Sequence, residues 1–286
     1  MSLSIVIFCK DERGVLVGNV IDKSKHSLIG VYSTNKLDQY KKNWRSKKIN
    51  KKNICKIFNL LQKNKVDLLI VAGFRIILKK EFLETPRLGV INLHPSLLPK
   101  FRGGSPLNWQ IIKGEKNMGV SFIKMNEKID GGEILLKKKF YLKKNENIYH
   151  AHQKANTLFA SHINKAIDNL LQNKLEKHNL YKGNYFQQRC DKDGLIDWNQ
   201  TRKDILNFIR ALTKPYNGAY TYYKNTQLRI FEAKKYNQRV EGVNGQFFKK
   251  KGLFIVICND GPIILEKYEI KKKCKLVKGF FDNNLT

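Results

Sequence analysis

The feature that most restricts this chain is a series of short, largely apolar runs separated by helical patterns along its first two-thirds. SIVIF (residues 4–8), LIGVY (28–32), VDLLIVA (66–72), GVINLH (89–94) and VSFIKM (120–125) are rich in β-branched residues. A half-exposed strand alternates apolar and polar residues, whereas one that is apolar throughout has to be covered on both faces. Between these runs Ile54, Ile57, Phe58 and Leu61 recur at the helical period. Strands alternating with helices predict an α/β domain: a Rossmann-like, doubly wound, mostly parallel sheet.

The pattern then changes. Ile148, His152, Ala155, Phe159, Ile163, Ala166 and Leu170 step by three or four and predict one long amphipathic helix over residues 146–171. After YKGN (181–184) a shorter helix is expected over 202–212. It ends before KPYNG (214–218), a stretch of turn residues. Short strands follow at 219–223, 228–232, 252–258 and 262–266, with turns at Asn225 and Asn259-Asp260-Gly261. This reads as a second, smaller, mainly β and barrel-like domain. The expected division is an N-terminal catalytic domain, 1–190, and a C-terminal β domain, 191–286. His152 and His162 are expected to pack on their helix as hydrogen-bonded residues. His26 and His178, flanked by lysines, read as solvated.

Composition narrows the setting. Lys and Arg total 55 against 24 Asp and Glu, a formal net charge of +31. Such an excess attracts phosphates, either in a small ligand or in a polyanion. Lys and Asn recur along the whole chain, so the expectation is a compositional bias plus a small phosphorylated ligand. The densest basic stretch, YKKNWRSKKINKKN (40–53), reads as a solvated loop. The five cysteines are scattered with no zinc-type spacing, which predicts free thiols and no metal site. No run is long and apolar enough for a transmembrane helix. The apolar start, residues 3–8, runs into Cys9-Lys10-Asp11 and does not read as a signal peptide, so the cytoplasm is the expected location.

The chemistry concentrates in GVINLHPSLLPKFR (89–102). Asn92 and His94 stand two apart on a strand, so their side chains share a face. Pro95 ends the ladder just beyond them, which puts the pair at the carboxyl edge where open α/β sheets bind ligands. An amide donor beside an imidazole suits stabilisation of an oxyanion with proton handling. Asp130, ahead of Gly131-Gly132, is a carboxylate on a flexible turn that can orient His94.

In that order, Asn92-x-His94, the loop Ser96-Leu97-Leu98-Pro99-Lys100-Phe101-Arg102-Gly103, Gly119-Val120 and Asp130 resemble the folate-dependent formyltransferases. These enzymes transfer a formyl group from N10-formyltetrahydrofolate to an amine. Ile196-Asp197-Trp198, Arg210-Ala211-Leu212 and Pro215-Tyr216-Asn217-Gly218-Ala219 are similar to the second domain of some members. The resemblance implies that Asn92 and protonated His94 hold the oxyanion. Asp130 keeps His94 charged and helps remove the amine proton through water. It also implies a folate site formed by the loop after Ala72 and the loop before Asp130, with Phe74, Ile76, Ile77 and Asp130 toward the folate, and no metal.

Ser105-Pro106-Leu107-Asn108-Trp109 looks most like the members that formylate amino sugars carried on nucleotides. Phe74-Arg75 stands where the methionyl-tRNA enzymes typically carry Tyr-Gly, and Cys9-Lys10-Asp11 replaces their Gly-Thr-Pro. The expected function is N-formylation of a dTDP- or UDP-linked amino sugar for surface polysaccharide (lipopolysaccharide or O-antigen). Arg75, Lys100 and Arg102 are the candidate substrate residues. Arg75 is a candidate pyrophosphate clamp, or else a surface arginine paired with Glu81 or Glu84. The expected partners are the nucleotide sugar and folate, without membrane insertion; a homodimer is left open. Methionyl-tRNA formylation is the alternative, toward which the basic stretch points. A basic nucleic-acid-binding module without catalysis is the second alternative.

Overall fold

The structure, a computed structural model, describes residues 2–35, 46–50, 53–74, 76–270 and 278–281. The chain folds into two compact units. The first comprises Met1–Gly103, Asn117–Tyr141 and Gln153–Phe186; the second comprises Gly104–Lys116, Leu142–His152 and Gln187–Thr286.

The first unit opens with β1 (Ser4–Cys9), α1 (Glu12–Asp22), β2 (Ser27–Ser33), β3 (Ser46–Lys48), α2 (Ile54–Lys63), β4 (Leu68–Ala72), α3 (Lys80–Glu84) and β5 (Val90–His94). The five strands pair in parallel in the order β3-β2-β1-β4-β5. The two-residue β6 (Arg102–Gly103) leads out of this unit to α4 (Pro106–Ile112) of the second. The chain returns with β7 (Asn117–Lys124) and β8 (Glu133–Tyr141), which complete the seven-stranded sheet beside β5, both antiparallel to their neighbours. Residues 120–125 therefore run against the parallel strands. The eight-residue link to β8 is too short for a crossover and suits an antiparallel pair.

Alternate residues of the strands face opposite layers, as the apolar runs require. Val6 and Phe8 of β1, Leu69 and Val71 of β4 and Val90 of β5 pack with Ile57 and Leu61 of α2 and Phe82 of α3. On the other face Phe122 of β7 meets Phe159, 5.3 Å between ring centroids, and Arg13 of α1 lies over the same ring. Phe159 belongs to α5 (Ile148–Leu171), the long helix expected from the periodicity. A 3-10 turn, Leu180–Lys182, and β9 (Tyr185–Phe186), paired in parallel with β6, end this unit.

The second unit adds α6 (Arg202–Leu212), β10 (Ala219–Tyr223), β11 (Thr226–Lys235), β12 (Gln246–Lys250), β13 (Leu253–Cys258), β14 (Gly261–Ile270) and β15 (Lys278–Phe280). Its six strands form an antiparallel sheet in the order β10-β11-β14-β13-β12-β15. Two register shifts in β11 bend that strand, as bulges do, and the sheet curls into a half-barrel. Fully buried Trp198 anchors its core, stacked on Phe281 at 5.4 Å and donating its indole N–H to Thr221 Oγ1 at 3.0 Å.

The thiols of Cys9, Cys190 and Cys258 are free. Burial pushes Cys9 and Cys258 up to about 12, so both stay protonated. Among the described residues no helix is long and apolar enough to cross a membrane.

Candidate active site

Asn92 and His94 end β5 on one face. Beyond them the chain leaves the sheet through a loop tied down by hydroxyls. Ser121 Oγ donates to Ser96 O at 2.7 Å and accepts from Leu98 N at 3.1 Å, and Ser96 Oγ donates to Lys100 O at 2.7 Å. The loop then turns at Phe101, a non-glycine residue at φ 57°, and brings its carbonyl back to His94.

His94 is buried and meets an acceptor at each ring nitrogen: Asp130 Oδ1 lies 3.3 Å from Nδ1, and Phe101 O lies 2.9 Å from Nε2. The Phe101 carbonyl only accepts, so the hydrogen bond at Nε2 is donated by the ring, while Nδ1 faces the Asp130 carboxylate. The sequence reading has His94 donating directly to the oxyanion. Here Phe101 O occupies Nε2 and Asp130 faces Nδ1, so His94 reaches a substrate oxygen only by releasing Phe101 O. Asn92 keeps a donor in hand. Its amide reaches Asp130 Oδ1 at 3.3 Å with one N–H and has a second.

Asp130 ties the cluster together. It adopts φ 48°, and its Oδ2 accepts the Gly103 backbone N–H at 2.8 Å. Burial pushes its carboxyl up, but His94, the Gly103 N–H and the charge of Arg102 outweigh that and hold it below the usual carboxylate range. Two glycines permit this geometry. A Cβ at Gly132 would lie 1.8 Å from Lys124 O, and one at Gly103 (φ 90°) would lie 2.2 Å from Phe186 O.

Two cavities flank the Asp130 loop. The smaller, about 190 Å³, brings Phe74, Ile76 and Ile77 together with Asn92 and Asp130. Ile77 and Ile129 stand at its rim with 82% and 52% of their surfaces in solvent. The larger, about 950 Å³, is lined by Arg102, Lys124, Lys128, Lys177 and Tyr181 among others. Of the candidate substrate residues, Arg102 lines this groove, and exposed Lys100 lines neither cavity. Arg75 lies outside the described residues, as does most of the basic stretch 40–53. Among the described residues no group of three or more His, Cys, Asp or Glu is placed to hold a metal ion.

Two histidines differ from the sequence reading. His26 is buried, with Nδ1 accepting from Leu3 N at 3.3 Å, and His178 is half-buried, with Nε2 bonded to Gly132 O at 2.9 Å. Burial, ahead of nearby lysines and arginines, lowers both, so each favours the neutral ring. Sequence reasoning also missed the Phe101 carbonyl and Asn184, whose Oδ1 accepts Phe101 N–H at 2.7 Å.

The Asn92–His94–Asp130 cluster, a buried histidine between two half-buried partners, stands at the carboxyl edge of the mostly parallel sheet. Residues 20–167 match the profile of the formyl transferase family, and residues 190–282 match the formyl transferase C-terminal domain. The chain belongs to the formyltransferase family and is a one-carbon transferase. It is 37% identical over 215 residues to the bifunctional polymyxin resistance protein ArnA of Wigglesworthia glossinidia brevipalpis, covering 74% of this chain and 31% of that protein. It is 36% identical over 216 residues to the methionyl-tRNA formyltransferase of Clostridium tetani, covering 74% and 69%. Among solved structures, the N-formyltransferase of Helicobacter canadensis, in complex with folinic acid and dTDP-3-aminofucose, matches with a TM-score of 0.64. That match covers 93% of this chain and 99% of the other at 20% identity, a likeness of fold.

Proposed function

We propose that this enzyme takes the formyl group of N10-formyltetrahydrofolate and transfers it to the amine of a dTDP- or UDP-linked amino sugar, in the cytoplasm, for surface-polysaccharide synthesis. The observation that carries the reading is the junction of the apolar cavity and the Asn92–His94–Asp130 cluster. Phe74, Ile76 and Ile77 offer apolar surface suited to a pterin, with Asn92 and Asp130 lining the same cavity, where a formyl group would lie. The 37% identity to ArnA and the Ser105-Pro106-Leu107-Asn108-Trp109 segment favour a sugar acceptor.

Bound N10-formyltetrahydrofolate supplies an electrophilic formyl carbon to the attacking amine. Asn92 then donates its free N–H to the oxygen that gains charge. His94, held by Asp130 and Phe101 O, puts positive charge beside that oxygen within a buried site, where charge acts more strongly than in water. Asp130, ionised near neutral pH, would accept the amine proton through a water and return it to N10 as the tetrahedral adduct collapses, so that the formyl carbon–N10 bond breaks and tetrahydrofolate leaves.

Methionyl-tRNA formylation is the second reading, favoured by the 36% identity to the Clostridium tetani enzyme. Purified protein with N10-formyltetrahydrofolate, offered a panel of UDP- and dTDP-linked amino sugars and methionyl-tRNA in parallel, separates the two. Formylation of at least one amino sugar nucleotide is expected. Formylation of methionyl-tRNA alone refutes the sugar reading.

A further inference from the structure

Phe101 O and Asp130 reach His94 from two different loops, and each loop places its key residue in the left-handed region. Phe101 sits at φ 57° and Asp130 at φ 48°. A residue with a Cβ, above all a bulky one, keeps such a conformation only where its surroundings impose it. One stretch of chain, residues 176–186, touches both loops, and the chemistry of the cluster does not call on it.

The downstream end of this stretch grips the Phe101 loop. Asn184 holds two successive amides: its Oδ1 accepts Phe101 N–H at 2.7 Å, and its backbone carbonyl accepts Arg102 N–H at 3.0 Å. The Phe186 ring stacks on that of Phe101, with 5.3 Å between centroids and 13° between planes, and β9 pairs with β6. Gly183 packs so closely on Pro99 that a Cβ there would lie 2.0 Å from its carbonyl oxygen. With the amide and the ring of Phe101 both engaged, its carbonyl is left aimed at His94 Nε2, 2.9 Å away.

The upstream end grips the Asp130 loop. Glu176 exchanges backbone hydrogen bonds with Ile134 at 2.8 and 2.9 Å. Half-buried His178 donates from Nε2 to Gly132 O at 2.9 Å, since a carbonyl only accepts. Its Nδ1 is buried with no hydrogen-bond partner among the described residues. The ring is therefore kept for its bond to the loop.

We propose that residues 176–186 are a strap that positions the proposed catalytic cluster, with Asn184 setting Phe101 O against one nitrogen of His94 and His178 holding the Asp130 loop at the other. Both are positioning residues: Asn184 acts through His94, and His178 through Asp130. The inference rests on the reading of Asn92, His94 and Asp130 as the catalytic groups, and not on which amine is formylated.

NMR of the histidine ring nitrogens in the whole enzyme tests the Asn184 end without any acceptor, the His94 signals being those lost in His94→Asn. At a pH where the ring is neutral, Phe101 O should hold its proton on Nε2 in the wild type. In Asn184→Ala the proton should shift to Nδ1, where Asp130 accepts it. Asn184→Asp, which keeps an acceptor at the same reach, should return it to Nε2. Asn184→Ser, whose oxygen is too short to reach Phe101, takes the place of Asn184→Ala if that variant does not fold. Initial rates with N10-formyltetrahydrofolate and the acceptor turned over by the wild type in the panel above complete the test. Asn184→Ala and His178→Ala should each lower kcat by about 10–10²-fold, the usual cost of a small misplacement. KM for N10-formyltetrahydrofolate should not change in Asn184→Ala. His178→Gln, whose amide N–H reaches the same carbonyl, should recover most of the loss. In a His94→Asn background Asn184→Ala should cost nothing further, since residues that act as one unit are not additive. An unmoved proton in Asn184→Ala, wild-type kcat in either alanine variant, or a fall in kcat that multiplies with that of His94→Asn overturns the inference and leaves the role of His94 standing. Wild-type turnover in His94→Asn overturns both.

Discussion

At the scale of single residues, the proposed catalytic cluster separates groups that donate from groups that hold. Asn92→Ala removes the one uncommitted donor and should lower kcat by about 10²–10³-fold, the usual loss for one oxyanion donor. His94→Asn and Asp130→Ala should lose most turnover while keeping the fold, because neither belongs to an apolar core. Steady-state rates with matched circular dichroism spectra check all three, and near-wild-type turnover in any of them removes that residue from the machinery. That these three residues meet was legible because a spacing of two on a strand and an acid before Gly-Gly are patterns of side chains. The Phe101 carbonyl was not legible, since any residue carries a carbonyl and only its positive φ aims this one at His94. His26 and His178 read as solvated from their lysine neighbours, whereas their burial comes from segments distant in sequence, residue 3 and residue 132. Asp130 also predicts a pH dependence. Its carboxyl lies below its unfolded value, so the folded chain binds fewer protons there. That stability is present above the unfolded carboxylate value, about 3.9, and is lost as pH falls through the folded one. Thermal melts of the wild type should therefore decline more steeply below about pH 4 than melts of Asp130→Asn. Parallel slopes would show that Asp130 titrates alike in both states.

At the scale of elements, the loop between β7 and β8 is the part on which the site's geometry turns. Gly132 packs on the Lys124 carbonyl with no space for a side chain, so Gly132→Ala has to push the loop away and take Asp130 from His94. Overpacking of this kind costs roughly 1–3 kcal/mol, to be read by urea denaturation. A fall in kcat larger than the fall in stability explains would mark the displaced carboxylate. Stability and kcat both at wild-type levels would show that the loop relaxes without moving Asp130. The strands on either side show where sequence reading stops. β1 and β4 were legible because they are buried on both faces and almost wholly apolar, and β2 and β5 because apolar residues dominate their buried parts. β8 carries Lys137-Lys138-Lys139, which suits an edge strand by discouraging pairing with another chain but conceals the strand in the sequence. The direction of β7 was equally hidden. Its residues suit a parallel or an antiparallel strand, and the short link to β8 makes those two antiparallel without setting the direction of β7 beside β5.

At the scale of the whole molecule, the net charge of +31 has to be reconciled with the small substrate of the proposed function. Spread over the surface, such a charge raises the local concentration of any anion and speeds encounter, and salt within a Debye length of about 8–10 Å screens it. A ligand with two phosphates engages few of these cations at once, whereas RNA engages many and releases a counterion at each. Raising salt from about 50 to 200 mM should therefore increase KM for the nucleotide sugar by about tenfold or less. Binding of a non-cognate RNA should fall by on the order of 10³ or more over the same range. Initial rates and filter binding across one salt series measure both. RNA affinity that survives at 200 mM salt, with RNA competing against the sugar nucleotide for turnover, would show that the charge serves a polyanion. RNA binding that collapses while turnover persists is the expected result, and it would assign the excess of lysine to composition.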